Sequence, residues 1–198
     1  FMTYRLEQKL FIKKENLINF KCYLFSKGAK KIFKSRKICS LYFENKKKDM
    51  FIDSIEGSLP RKKIRIRYYP NDNFDQIYFE KKISGVEGRF KKRNVISNQE
   101  FENIKINGVS DNQYGICNPN IFVTYEREYL KLGDVRITVD KDIFYQEFKK
   151  DIKFKDPNII VELKTSADKD LDDLIKLFPF QNIRFSKYCN GIQTIFNA

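Results

Sequence analysis

The chain has 198 residues, 41% of them hydrophobic, which suits one domain of ordinary size with a substantial core and excludes a disordered chain. Its 39 Lys and Arg outnumber 26 Asp and Glu, and the formal net charge of +13 calls for a polyanionic partner: nucleic acid, an anionic membrane surface or a phosphorylated small molecule. There is no histidine, so Ser-His and Cys-His nucleophile schemes are excluded, and any chemistry rests on carboxylates, Lys, Arg, Tyr and a bound metal ion. Phosphoryl transfer suits that set, because it depends on positioning and charge neutralisation more than on covalent catalysis. No apolar run approaches the roughly 18 residues that span a bilayer, so membrane insertion is not expected. Phe1 to Lys14 alternate polar and apolar side chains and do not read as a secretory leader. Cys22, Cys39, Cys117 and Cys189 show no C-x-x-C pairing and read as free thiols in a reducing, cytoplasmic setting.

Residues 1–198 read as a single domain without a linker-like stretch. Met2 to Ile12 suggests a first strand. Glu15 to Phe25 suggests a helix with Leu17, Ile18, Cys22 and Phe25 along one stripe, ended by Gly28. Cys39 to Glu44 is a short strand, and Met50 to Ile55 a strand or short helix. Lys62 to Tyr69 alternates basic and apolar residues without a break, and Gln76 to Lys82 follows after a turn at Pro70-Asn71-Asp72-Asn73. Arg89 to Ile96 is the next strand, and Ser97 to Asn107 is helical. Asn120 to Tyr129 and Asp134 to Lys141 form a hairpin turning at Lys131-Leu132-Gly133. Asn158 to Thr165 is a last strand, followed by a helix from Asp168 to Phe178 with Ser166 as N-cap. Short connections favour antiparallel neighbours. The expected fold is therefore α+β and mainly β: an eight-stranded antiparallel closed barrel with helices packed outside.

Residues two apart on a strand share a face. Glu7 and Lys9, Glu80 and Lys82, and Glu162 and Lys164 are such pairs. So are Lys63, Arg65 and Arg67, then Arg89, Lys91 and Arg93, then Tyr125 and Arg127, and finally Arg136, Thr138 and Asp140. Faces converging on one lumen would bring about a dozen cations together, repelling by on the order of 1 kcal/mol per close pair unless a dense anion were present. A triphosphate or longer phosphate chain fits such a lumen, whereas duplex nucleic acid does not. The interspersed carboxylates either hold the cations in place or bind Mg2+ or Mn2+ together with phosphate oxygens.

The chain resembles the VTC (vacuolar transporter chaperone) domain of polyphosphate polymerases, a branch of the triphosphate tunnel metalloenzymes with a CYTH-like fold. The resemblance rests on Tyr4-Arg5-Leu6-Glu7-Gln8-Lys9, Ser40-Leu41-Tyr42-Phe43-Glu44, Arg61 to Tyr69, Phe79-Glu80-Lys81-Lys82, Tyr125-Glu126-Arg127, Val135 to Asp140, Val161-Glu162-Leu163-Lys164 and Ser186-Lys187-Tyr188. It implies an ATP-dependent, metal-dependent transferase that adds the γ-phosphate of ATP to polyphosphate inside a tunnel. Lys9, Arg65, Arg67, Lys82, Lys91, Arg127, Arg136 and Lys187 would hold the triphosphate and growing chain, with Tyr125 and Ser186 as hydroxyl contacts. Glu162 corresponds to the family's metal glutamate, usually binding manganese; Glu7 and Glu80 either join it or anchor cations. Strand phase adds Arg5, Lys63, Arg93 and Lys164. Two departures stand out. Ser54 falls where the family has a basic residue on the short strand before the Arg-rich one, a contact Lys62 could replace. Arg5-x-Glu7-x-Lys9 stands where many hydrolytic relatives have E-x-E-x-K, which favours a polymerase. A tunnel triphosphatase and a catalytically silent polyphosphate or nucleotide binder are the alternatives. A nucleic-acid partner is disfavoured, since the cationic faces lack the aromatic interleaving of single-strand binders.

Overall fold

The computed structural model describes residues 5–70, 76–166 and 183–196. Among the described residues there are ten antiparallel strands and four α-helices. In chain order these are β1 (Arg5–Ile12), α1 (Leu17–Ser26), β2 (Lys30–Glu44), α2 (Asp49–Glu56), β3 (Arg61–Tyr68), β4 (Ile77–Gly85), β5 (Gly88–Ile96), α3 (Asn98–Asn107), β6 (Val109–Asp111), β7 (Gly115–Leu132), β8 (Val135–Glu147), β9 (Lys153–Lys155), β10 (Ile159–Ser166) and α4 (Lys187–Phe196). The strand order is β1-β10-β8-β7-β2-β3-β4-β5, with β6 on β7 and β9 on β8. The fold is thus α+β and mainly β, as expected, with one correction. The path is not closed, because among the described residues β5 pairs with β4 alone. β5 is exposed along its length and carries Arg89, Lys91, Lys92 and Arg93, and charge of this density on an outer strand disfavours further pairing. The helix expected at Asp168 to Phe178 and the turn residues Asn71, Asp72 and Asn73 lie outside the described residues, and Ser166, expected as that helix's cap, is the last residue of β10.

Two compact units divide the chain, each built from three segments. The first comprises Phe1–Arg36, Tyr125–Ile143 and Asp156–Phe185. Its core is formed by Leu10 and Ile12 of β1, Phe20 and Leu24 of α1, Leu130 of β7, Val135, Ile137 and Val139 of β8, and Ile159, Val161 and Leu163 of β10. The strand residues alternate in sequence, so one face of β1, β10 and β8 is apolar and the other carries charge. α1 buries Phe20 and Leu24, not the expected stripe; Ile18 is 71% exposed and Phe25 43%. Leu17, Phe20 and Leu24 have the same helical spacing as the stripe read from the sequence, so periodicity alone did not choose between them. The helix ends as foreseen at Gly28, whose φ is +87°. Its N–H donates to the Phe25 carbonyl at 3.0 Å and that of Ala29 to Leu24 at 3.0 Å, and both Leu24 and Ala29 enter the core.

The second unit comprises Lys37–Thr124, Phe144–Lys155 and Ser186–Ala198. β2 is far longer than the expected Cys39–Glu44, because its exposed Lys-rich first half shows no alternation. Met50 to Ile55 forms helix α2, which packs against β3 and α4. The carboxylate of Glu44, at the end of β2, accepts hydrogen bonds from the backbone N–H groups of Asn45, Met50 and Phe51 at 3.0–3.2 Å. It thereby satisfies donors at the start of α2 that the helix leaves open. Ser97 and Glu100 form a reciprocal capping box at the start of α3.

Candidate functional site: two charged sheet faces

In the second unit, β2 to β5 bring polar residues into register across one face. Tyr42 pairs with Arg65 and Ser40 with Arg67. Lys63 pairs with Lys82 and Arg65 with Glu80, while Glu80 pairs with Arg93 and Lys82 with Lys91. Six predicted cations, Lys63, Arg65, Arg67, Lys82, Lys91 and Arg93, therefore share this face with Glu80. Arg65 and Arg67 are only 6% and 9% exposed, because Ile64 and Ile66 fill the opposite face and both faces of β3 are covered. The fully buried Glu80 carboxylate meets Arg65 Nη2 at 2.6 Å, Lys91 Nζ at 2.5 Å and Arg93 Nε at 3.3 Å. Burial alone would raise its pKa, but Arg65, Arg67 and Lys91 hold it down to about 2. Burial likewise pushes the Lys91 ammonium below its usual pKa, against the pull of Glu80.

The edges of this face are held by hydroxyls and rings. Arg67 Nε donates to Ser40 Oγ at 3.2 Å, and Arg65 Nη1 to the Tyr42 hydroxyl at 3.0 Å. The Arg93 guanidinium lies 3.4 Å from the Tyr78 ring centre. Lys63 Nζ donates to Ser186 Oγ at 2.8 Å, and Ser186 Oγ in turn accepts from the Cys189 N–H at 3.3 Å, capping α4. Lys187 is the first residue of that helix. The Tyr188 hydroxyl donates to Glu44, and its ring lies 5.2 Å from that of Tyr42.

Two readings from the sequence change here. Ser54 is not on a strand but buried on α2. Lys62 points away from the face of Lys63, donating to Asp111 at 2.8 Å, and Lys81 joins the same carboxylate at 3.1 Å. Lys62 is thus held in a different cluster from the phosphate-site candidates.

In the first unit, β1, β10 and β8 align Lys9 with Glu162 and Thr138, and Glu7 with Lys164 and Arg136. Lys164 Nζ lies 2.7 Å from Glu162 and 3.4 Å from Glu7, and Lys9 Nζ lies 3.8 Å from Glu7 and 2.9 Å from the Phe185 carbonyl. Arg127 binds Asp140 through two hydrogen bonds of 2.6 and 2.7 Å and approaches Glu162 at 4.0 Å. Its guanidinium lies 5.4 Å from the ring centre of the buried Tyr125, and Arg136 lies 5.8 Å from that of Tyr129. Burial opposes ionisation of Glu162, yet Lys164, Arg127 and Lys9 lower its pKa to about 2. Arg5 lies on β1 opposite Ser166. Asp140, Thr138 and Tyr42 received no role from the sequence, although Asp140 and Thr138 share the strand face of Arg136 and were visible by their spacing. Thr138 Oγ1 is buried without a hydrogen-bond partner beside Glu162.

Among the described residues no group of three His, Cys, Asp or Glu side chains gathers to hold a metal ion. Glu162 and Glu7 supply two carboxylates around one ammonium group, and Thr138 an unused oxygen. Such a donor set fits a hard divalent ion only if phosphate oxygens complete the shell.

Solved structures share this fold. A protein from Bacillus halodurans described as a candidate adenylate cyclase superposes with a TM-score of 0.65 at 14% identity, covering 98% of both chains. One from Pyrococcus horikoshii gives 0.60 at 14% identity over 96% and 99%. A Hippeastrum protein, named for a dominant triphosphatase activity, gives 0.61 at 14% identity over 96% of each. No curated protein matches the sequence. Residues 4–196 match the VTC domain, and the chain belongs to that family. No helix among the described residues is long and apolar enough to cross a membrane.

Proposed function

We propose that this chain, acting as one domain, is an ATP-dependent polyphosphate polymerase that transfers the γ-phosphate of ATP to a growing polyphosphate chain. The observation that carries the reading is the gathering of six cations on one sheet face, of which Arg65, Lys91 and Arg93 meet the buried Glu80, and Arg65 and Arg67 are themselves largely buried. A dense, extended anion such as a phosphate chain offsets that charge. Arg65, Arg67, Lys82, Lys91, Lys63 and Arg93 bind and neutralise phosphate oxygens, while Glu80 fixes the geometry of Arg65, Lys91 and Arg93. Lys187 and Ser186 of the same unit, and in the other unit Arg127, oriented by Asp140, with Lys9, Arg136, Tyr125 and Arg5, are the further candidates for phosphate contacts. A terminal phosphate oxygen is already anionic, so its in-line attack on the γ-phosphorus needs no protein base, and ADP leaves. Mn2+ or Mg2+, when bound by Glu162 and Glu7, would neutralise phosphate oxygens as a Lewis acid. Lys164, which pairs with both carboxylates, would have to release them for such an ion to be held there. A requirement for ATP would agree with the cytoplasmic setting expected from the free thiols.

Incubation with ATP and Mn2+ tests the proposal. Long-chain polyphosphate is the expected product, and Glu162→Gln abolishes its metal-dependent formation with the circular dichroism spectrum unchanged. Release of free phosphate without any chain sinks the polymerase and establishes a triphosphatase, the reading favoured by the likeness to the Hippeastrum protein. Tight ATP binding without turnover under either metal establishes a silent binder.

A further inference from the structure

Tyr42 has no place in the phosphate contacts above, yet it stands inside the cationic face. It is 6% exposed, pairs with Arg65 across the sheet and accepts the Arg65 Nη1 hydrogen bond at 3.0 Å. The groups around it are Arg65 and Arg67 from β3, Glu80 and Lys82 from β4, and Tyr188 from α4, with Ser40 and Glu44 on its own strand. The second unit's stretch of β7, the other neighbour of β2, has Cys117 as its single titratable side chain. Tyr188 offers no competing charge, because its hydroxyl is committed to Glu44.

We propose that Tyr42 is a proton-linked anion of this face: its phenolate partly neutralises the cations while the face is empty, and it takes up one solvent proton when a polyphosphate replaces it. The proposal rests on the phosphate-binding reading of the face and adds a residue and a linkage to it. Burial opposes ionisation of Tyr42, but Arg65, Arg67 and Lys82 outweigh it and bring the hydroxyl down to about 7. A phenol that accepts a hydrogen bond from a buried guanidinium is favoured in its ionised form. A phosphate chain on the same cations removes that stabilisation, so the phenolate binds a proton. The sign follows: affinity for polyphosphate is complete below the free protein's phenol step and declines as pH rises through it.

The experiment is an ultraviolet titration of the phenolate band in the whole chain and in Tyr42→Phe, with and without inorganic tripolyphosphate. A step near neutrality present in the parent and missing from the variant is expected. Tripolyphosphate then bleaches the band, and calorimetry in buffers of different ionisation enthalpy reads proton uptake in the parent alone. The Kd of the parent, relative to the variant, weakens on the order of tenfold per pH unit above the step. Identical titrations in the two proteins overturn the inference. Binding without bleaching overturns the inference and leaves the proposed function standing. A failure of tripolyphosphate to bind, with the step in place, overturns the proposed function and the linkage together.

Discussion

Glu80 shows how one side chain governs a charged face. Its fully buried carboxylate has a folded pKa of about 2, below the ordinary value of about 4.3. It therefore contributes stability that is complete above the unfolded value and lost as pH falls toward 2, about 3 kcal/mol in all. Glu80→Gln removes this and leaves Arg65, Lys91 and Arg93 repelling one another. The variant should melt lower at neutral pH, lose less stability than the parent on acidification, and gain more in Tm from added tripolyphosphate. An equal tripolyphosphate shift in both proteins would sink this account of Glu80. Lys63, Arg65 and Arg67 were legible in the sequence because a two-residue repeat on an unbroken strand is the clearest pattern a sequence offers. Asp140 and Tyr42 were not given roles, since what each does depends on a cross-strand partner, Arg127 and Arg65, that no local pattern names.

At the scale of elements, α4 is anchored by close packing as well as by hydrogen bonds. A Cβ at Gly191 would lie 2.7 Å from Ile121 Cδ1 and 2.9 Å from Tyr145 Cδ1. Gly191→Ala is thus expected to push α4 off its seat at a cost of about 1–3 kcal/mol. With it move Ser186, which receives the Lys63 hydrogen bond, and Tyr188, which lies against Tyr42. Chemical denaturation measures the loss, and a parallel weakening of tripolyphosphate binding shows that the helix shapes the face. Unaltered stability would show that the seat yields freely. The sequence marked Ser186-Lys187-Tyr188 but not the helix it opens. It also left Met50 to Ile55 undecided, because a short apolar run fits a strand and a helix equally until Glu44 is seen capping one end. The first half of β2 was missed for the opposite reason. Lys30 to Lys37 is exposed and has no apolar face to alternate with.

For the molecule as a whole, the +13 charge sets how binding responds to its surroundings. Exposed cations lose their long-range pull as the screening length shrinks from about 10 Å at 0.1 M salt to about 3 Å at 1 M. Tripolyphosphate association should slow steeply with added salt, while complexes held by the largely buried Arg65 and Arg67 dissociate at rates that change less; stopped-flow mixing measures both. Equal salt sensitivity of the two rates would show that the buried pair adds no screened-off hold. The sheet-rich class and its family were readable from short motifs spread along the chain, whereas closure was overestimated, because strand count says nothing about whether the last strand finds a partner. One property belongs to no residue and no element. Each compact unit is stitched from three separate stretches, with β2, β7 and β8 running from one into the other. No single cut in the gene liberates either unit intact. Recombination cannot trade one half for a foreign one, and evolution can lengthen loops or append neighbours only around a body inherited whole.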